Sequence, residues 1–256
     1  MSLIPGLDEN ACVLVCGASR GIGLALCNAL ATREDVDQLI AVSRRATQNQ
    51  ALRALADAHP NRVLLVDCDA REEASLGAMA AQAGERCVHL HLVISTLGIL
   101  HQENAKAEKS LAQLDLASLH ASFTTNAFAP VLLLKHLLPL LRKQPATFAA
   151  LSARVGSISD NRLGGWYSYR ASKAALNQLL HTASIELKRL NPNATVLALH
   201  PGTTDTELSR PFQGNVPEGK LFETTFAAQC IVELIGRLGP NVTGSFWGWD
   251  GRNIPW

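Results

Sequence analysis

Tyr169 and Lys173 stand four residues apart in the stretch Gly164-Gly165-Trp166-Tyr167-Ser168-Tyr169-Arg170-Ala171-Ser172-Lys173-Ala174-Ala175, which reads as a loop entering a helix. Good helix formers continue to Leu190, where Asn191-Pro192 stops them. At that offset the two side chains share one helix face, a turn apart. Tyr167 has Ala171 at the same offset and so lacks such a partner. An ammonium beside a phenol favours the phenolate. Two unit charges about 4 Å apart at an effective dielectric near 20 interact by roughly 4 kcal/mol, which is about 3 pK units. A shift of that size brings a phenol with a reference pKa near 10 into the range of a useful acid or base at neutral pH. Taken alone, the pair also fits an ordinary solvated helix. The residues that decide lie far upstream.

Gly17-Ala18-Ser19-Arg20-Gly21-Ile22-Gly23 joins the apolar run Ala11–Cys16 to a helical pattern from Ile22 to about Thr32. Glycines in such a turn let the backbone approach a pyrophosphate, which rests on the positive helix N-terminus. Gly17, Gly21 and Gly23 are the close-approach positions, with Ser19, Arg20 and Ile22 between them, so the turn points to a dinucleotide. The second strand ends at Ser43-Arg44-Arg45, where an NAD site usually carries an acid for the ribose 2′-hydroxyl. Arg20 and Arg44 could instead clamp a 2′-phosphate, with Ser43 donating to it, which favours NADP(H) over NAD(H). Asp67, followed by Cys68, closes the third strand; it could accept from the adenine amino group or simply cap a turn.

Strands are expected at Ala11–Cys16, Gln38–Ser43, Arg62–Val66, Val88–Ser95, Thr147–Ser152, Ala194–Leu199 and Gly244–Trp249. Helical patterns alternate with them, including one long helix over Leu116–Leu141 with Pro139 near its end. Alternation of this kind implies parallel crossovers and an α/β, Rossmann-type doubly wound sheet of about seven strands with helices on both faces. No linker, repeat or low-complexity tract interrupts residues 1–256, so a single domain is expected. A formal net charge of +1, no basic run and 5% aromatics argue against nucleic acid and anionic membranes as partners. Met1–Asn10 has no signal pattern. The run Val131–Leu141, interrupted by Lys135, His136 and Pro139, is too short to span a bilayer. Cys12, Cys16, Cys27, Cys68, Cys87 and Cys230 lack close CxxC pairing and read as reduced thiols. His89 and His91 would share a face of the fourth strand, without a third ligand for a metal. The expected setting is cytoplasmic, with no metal.

Together, GxxxGIG, Tyr169-x-x-x-Lys173, Asn126 on the long helix and Pro201-Gly202 after the sixth strand resemble the short-chain dehydrogenase/reductase family over essentially the whole chain. Ser157-Ile158-Ser159-Asp160-Asn161, Gly164-Gly165-Trp166-Tyr167, His200-Pro201-Gly202 and Trp249-Asp250-Gly251 are similar to its C-factor-like and sniffer-like carbonyl reductase branch. The resemblance implies hydride transfer between NADPH and a carbonyl or alcohol. In that scheme Tyr169 exchanges the proton, Lys173 lowers its pKa and holds the nicotinamide ribose, and Asn126 kinks its helix and holds a relay water. Pro201-Gly202 with Thr204 and Thr206 would fix the nicotinamide amide and begin a substrate-covering loop, about 203–220. A homodimer or homotetramer is implied, and for the C-factor-like branch a role in intercellular signalling is the alternative.

Two departures from the family stand out. Its usual Asn-Asn-Ala-Gly after the fourth strand is here Ser95-Thr96-Leu97-Gly98: Gly98 keeps the close approach, and bracing of the sheet falls to Ser95, Thr96 or water. The family's catalytic serine falls on Ala153 in Leu151-Ser152-Ala153-Arg154. Losing one such donor costs on the order of 10²–10³ in rate. Ser152 is the expected substitute, although it would face away on a regular strand; Ser157 and Ser159 are the other hydroxyls at hand.

Overall fold

A computed structural model describes residues 2–101 and 107–256. β1 (Ala11–Cys16) is apolar throughout and central, pairing in parallel with β2 (Val36–Ser43) on one side and β4 (Leu92–Ser95) on the other. α1 (Gly21–Ala31), α2 (Gln50–Ala58), β3 (Val63–Asp67) and α3 (Glu73–Arg86) complete the first half. The second half contains α4 (Leu116–Phe123), α5 (Ala129–Leu137), β5 (Ala146–Leu151), α6 (Tyr167–Leu190) and β6 (Ala194–His200). β7 (Thr203–Thr204), β8 (Leu221–Phe222), α7 (Thr224–Arg237) and β9 (Ser245–Gly248) close the chain. The main sheet has seven strands, all parallel, in the order β3-β2-β1-β4-β5-β6-β9. The order reverses between β1 and β4, the crevice at which doubly wound sheets bind ligands.

Each face of the sheet carries its own apolar layer. Leu26 and Leu30 of α1, Leu52 of α2, and Ile231 and Ile235 of α7 pack on one face. Leu76 and Met79 of α3, Leu133 and Leu137 of α5, and Leu176 and Leu180 of α6 pack on the other. Even-numbered β6 residues such as Ala198 face α6, and odd ones such as Leu197 face α7, as period-two alternation requires.

Three elements differ from expectation. β4 begins at Leu92, not Val88, so His89 and His91 precede the strand. His91 instead accepts a hydrogen bond from the Cys12 backbone N–H through Nδ1 (2.9 Å). The long helix is interrupted by a π turn at Thr124–Phe128 and tightens to 3₁₀ geometry at Leu138–Leu141. Pro130 has no N–H to donate to the Asn126 carbonyl, so α-helical bonding cannot run through that turn. By length and apolarity alone the 26-residue run Leu116–Leu141 could cross a membrane, yet its Ala127, Leu133, Leu134 and Leu137 are buried in the core. Third, the covering loop contains its own small parallel ladder, β7–β8.

Candidate active site

The C-terminal ends of the strands border a cleft of about 1600 Å³. That exceeds the roughly 300–1,000 Å³ of a pocket for one small ligand. Gly17, Ser19, Arg20, Gly21, Ile22, Gly23, Ser43 and Arg44 line it from one side. Gly98, Tyr169, Lys173, Pro201, Gly202, Thr204 and Thr206 line it from the other, and Cys68 lies on its wall.

The glycine turn is shaped by close approach. A Cβ on Gly23 would meet the Gly17 carbonyl oxygen at 2.2 Å, and one on Gly17, at φ +95°, would meet Thr96 Oγ1 at 2.3 Å. Thr96 occupies that space productively: its Oγ1 donates to the carbonyls of Cys16 and Gly17 (both 3.1 Å), tying β4 to the turn. This is the brace that asparagines supply in the family pattern; Ser95, fully buried, has no partner for its Oγ among the described residues. Arg20 begins α1 with no side-chain cap, so the helix's first N–H groups are left to whatever binds there. These features, and the buried Ser43 Oγ on the cleft wall, which has no partner among the described residues, fit a dinucleotide.

Around that end the side chains sort differently from expectation. Arg44 lines the cleft, but Arg20 forms an ion pair with Glu207 of the covering loop. Asp67 is turned away: its carboxylate accepts from the Thr47 N–H (2.9 Å) and hydroxyl (2.6 Å), the turn-capping arrangement. Those bonds hold its pKa below the usual carboxylate range even though partial burial pushes the other way. After β3 the acid that lines the cleft is Asp69, paired with Arg71 (Nε–Oδ1 2.9 Å).

At the other end, α6 starts from Trp166, which is held in the left-handed region (φ 52°, ψ 46°) and donates its N–H to the Glu108 carbonyl (2.5 Å). Buried Glu108 also accepts from the backbone N–H (3.2 Å) and hydroxyl of Ser168. Residues from another part of the chain thus do the work of a local N-cap. They set the start of α6, whose first two turns project Tyr169 and Lys173 into the cleft, both buried. Lys173 Nζ donates to the Leu151 carbonyl (2.8 Å) and lies 5.9 Å from the Tyr169 ring centroid. Gly156 packs against Lys173 so tightly that a Cβ would come within 2.8 Å of the lysine's own.

The expected pull of the ammonium on the phenol is not what dominates in the protein itself. Burial pushes the Tyr169 phenol up and lowers Lys173 to about 7, since loss of water disfavours both charges. Tyr169 is accordingly held as a neutral acid.

Asn126 sits in the π turn, fully buried, and does not line the cleft. It brackets Ile99 through Nδ2 to the carbonyl (2.9 Å) and Oδ1 from the N–H (2.7 Å). Its Nδ2 also donates to Ser172 Oγ (3.0 Å), which in turn donates to the Tyr169 carbonyl (2.8 Å). It therefore fixes the Gly98–Ile99 wall relative to α6, an action on its neighbours rather than a contact with Lys173.

Ser152, expected to replace the missing serine, donates its Oγ hydrogen to Asn177 Oδ1 (2.6 Å) on α6. Its hydroxyl is thus spent on packing. Ser157 Oγ accepts from the Asp160 N–H (3.2 Å), and Ser159 donates to the Trp256 carbonyl. Ser152 and Ala153 both line the cleft. His200, which the sequence offered only as part of a motif, also lines it: its Nδ1 is buried without a partner among the described residues, and burial lowers the ring to about 4, helped by Arg154. Only the strand register of the folded sheet places it there, since Leu151 pairs with Leu199 and so puts His200 beside Ser152.

A doubly wound parallel sheet whose crevice joins a glycine turn to a Tyr–Lys pair defines a dinucleotide-binding oxidoreductase fold. The chain belongs to the short-chain dehydrogenase family, whose model matches residues 11–216. It is similar to the NADPH-bound carbonyl reductase from chicken fatty liver, at 29% identity and TM-score 0.84 over 97% of this chain and 100% of that one. The carbonyl reductase Sniffer of D. melanogaster matches with 26% identity and the same TM-score of 0.84, over 97% and 100% of the two chains. C-signal of Myxococcus xanthus is 33% identical over 148 residues, 57% of this chain and 84% of that protein.

Proposed function

We propose that the protein transfers a hydride between NADP(H) and a small carbonyl or alcohol substrate, with Tyr169 as proton donor and acceptor. The observation that carries this reading is the burial of Tyr169 and Lys173, one turn apart, in the cleft that also holds the glycine turn and Arg44. Bound there, the nicotinamide supplies the hydride. Tyr169, kept neutral by burial, gives its Oη proton to the substrate oxygen in the direction of reduction. Lys173, anchored on the Leu151 carbonyl, presents the remaining N–H bonds of its head group to the nicotinamide ribose. Arg44 and Ser43 hold the 2′-phosphate, which the NADPH in the chicken carbonyl reductase structure supports. Pro201-Gly202, Thr204 and Thr206 border the nicotinamide end. Ile99, Leu208 and Phe212 give the cleft an apolar lining and exclude water from the substrate. Association of copies through the long helices, where Phe128 and Ile185 are exposed, belongs to the same reading.

Tyr169→Phe tests it. Loss of NADPH-dependent carbonyl reduction by about 10²–10⁴-fold is expected, with NADPH affinity by fluorescence titration nearly unchanged. Turnover equal to wild type would remove Tyr169 from the mechanism.

A second reading has its own observation. With Ala153 at the serine position, the Ser152 and Ser159 hydroxyls donating elsewhere and Ser157 outside the cleft lining, the substrate oxygen lacks the family's second donor. A nucleotide-binding signalling protein with poor turnover, as the likeness to C-signal suggests, would bind NADPH tightly and reduce none of a panel of aldehydes, ketones and quinones.

A further inference from the structure

Three consecutive residues ahead of α6, Gly164, Gly165 and Trp166, have positive φ (64°, 66° and 52°). For the glycines that is ordinary. For a side chain as large as tryptophan it is costly, and it persists only where the surrounding bonds impose it. Those bonds come from two directions. Arg170, in the first turn of α6, donates through Nε to the Gly165 carbonyl (2.9 Å) and through Nη2 to the Gly164 carbonyl (3.0 Å). Glu108 holds the Trp166 N–H with its carbonyl and the Ser168 N–H with its buried carboxylate. The strained backbone thereby sets the Trp166 indole on the cleft wall. There it meets Tyr169 (ring centroids 6.3 Å apart, planes at 77°) and Phe212 of the covering loop (4.9 Å, 60°). Neither of these rings lies flat on the indole.

We infer that Trp166 is a specificity-determining residue, a platform that selects carbonyl compounds bearing a flat aromatic ring. This deepens the hydride-transfer reading of the site and rests on it for the reacting end. The carbonyl must reach the Tyr169 hydroxyl, and the substituent it carries then falls beside the indole that touches Tyr169 on one side and the covering loop on the other. An aromatic substituent gains a ring-to-ring contact beyond the apolar area it buries, whereas a saturated ring of the same size gains the area alone. With its backbone fixed, the indole has only two side-chain torsions left, so little freedom is lost when a ring settles on it. Ile99 and Leu208, elsewhere on the lining, are aliphatic and favour neither kind of ring.

The test uses the full-length protein saturated with NADPH and two matched pairs of probes. Benzaldehyde and cyclohexanecarbaldehyde serve as substrates, and the unreactive benzamide and cyclohexanecarboxamide as ligands in calorimetric titration. Wild type should bind benzamide the more tightly of the two amides. Trp166→Leu should lower the aromatic-to-saturated ratio by roughly 2- to 13-fold, both in kcat/KM and in affinity, and Trp166→Phe should restore most of it. Reading the change in ratio cancels the difference in intrinsic reactivity between the aldehydes. Equal affinities of wild type for the two amides, or an unchanged ratio in folded Trp166→Leu, would overturn the inference; the wild-type titration decides even if the leucine variant folds poorly. Aldehyde reduction with a ratio indifferent to Trp166 would sink the inference and leave the hydride-transfer reading standing. Amide preference without reduction of any aldehyde would do the reverse.

Discussion

At the β1–α1 end of the cleft, Gly17 and Gly23 act by lacking side chains; at the α6 end, Tyr169 and Lys173 act through theirs. The first end is built of backbone, and its tolerance is steric: Thr96 and the Gly17 carbonyl already fill the space a Cβ would need. The second end is electrostatic. Tyr169 and Lys173 are both buried, and their proton affinities follow from what surrounds them rather than from each other. A binding surface of the first kind is hard to alter without damaging the fold. One of the second kind can be retuned by any neighbour that changes its burial or charge.

The sharpest break between the ends would come from Gly23→Ala. Its Cβ would meet backbone, which cannot swing aside, so a cost of about 3 kcal/mol is expected at the upper end of overpacking penalties. Thermal unfolding and NADPH titration would both show it; wild-type values in both would mean the turn is not a steric cradle. Next comes Arg44→Asp. Removing one charged hydrogen-bond donor to the 2′-phosphate is worth about 1.5–3 kcal/mol, so the NADPH/NADH preference should fall by roughly 10- to 100-fold. An unaltered ratio of dissociation constants would discredit the clamp.

Lys173 offers a readout specific to the electrostatic end. Its folded pKa, about 7, lies below the 10.5 of an unperturbed lysine. Below pH 7 both folded and unfolded chains hold the proton, and the fold bears the full cost of burying an ammonium. Between about 7 and 10.5 only the unfolded chain holds it, so stability rises with pH. From pH 7 to 9 this amounts to on the order of 2 kcal/mol, and Lys173→Met should remove that part of the slope in thermal midpoint. Parallel profiles for the two proteins would refute the shift. The smallest expected change in rate is from Ser152→Ala. Because its hydroxyl serves Asn177, turnover should hold, while the buried Asn177 oxygen left unpaired costs stability by about 1 kcal/mol. A large loss of rate would return Ser152 to the reacting centre.

The glycine turn, the Tyr169–Lys173 pair and the alternation of strands and helices were all legible in the chain. Each is encoded in the spacing of a few neighbouring residues, and α-helical or strand periodicity turns spacing directly into position. Burial of Tyr169 and Lys173 was not legible, and it reversed the direction expected for the phenol. Nor could local spacing show that Glu108 caps α6 from some 60 residues away, that Glu207 pairs with Arg20, or that Asp69 rather than Asp67 lines the cleft. Spacing also could not send the Ser152 hydroxyl to Asn177. Side-chain direction at a strand end, ion pairing across a cleft and loss of solvent all depend on groups brought together by the sheet. Their energies scale with distance and dielectric, and those quantities exist only once the chain has folded.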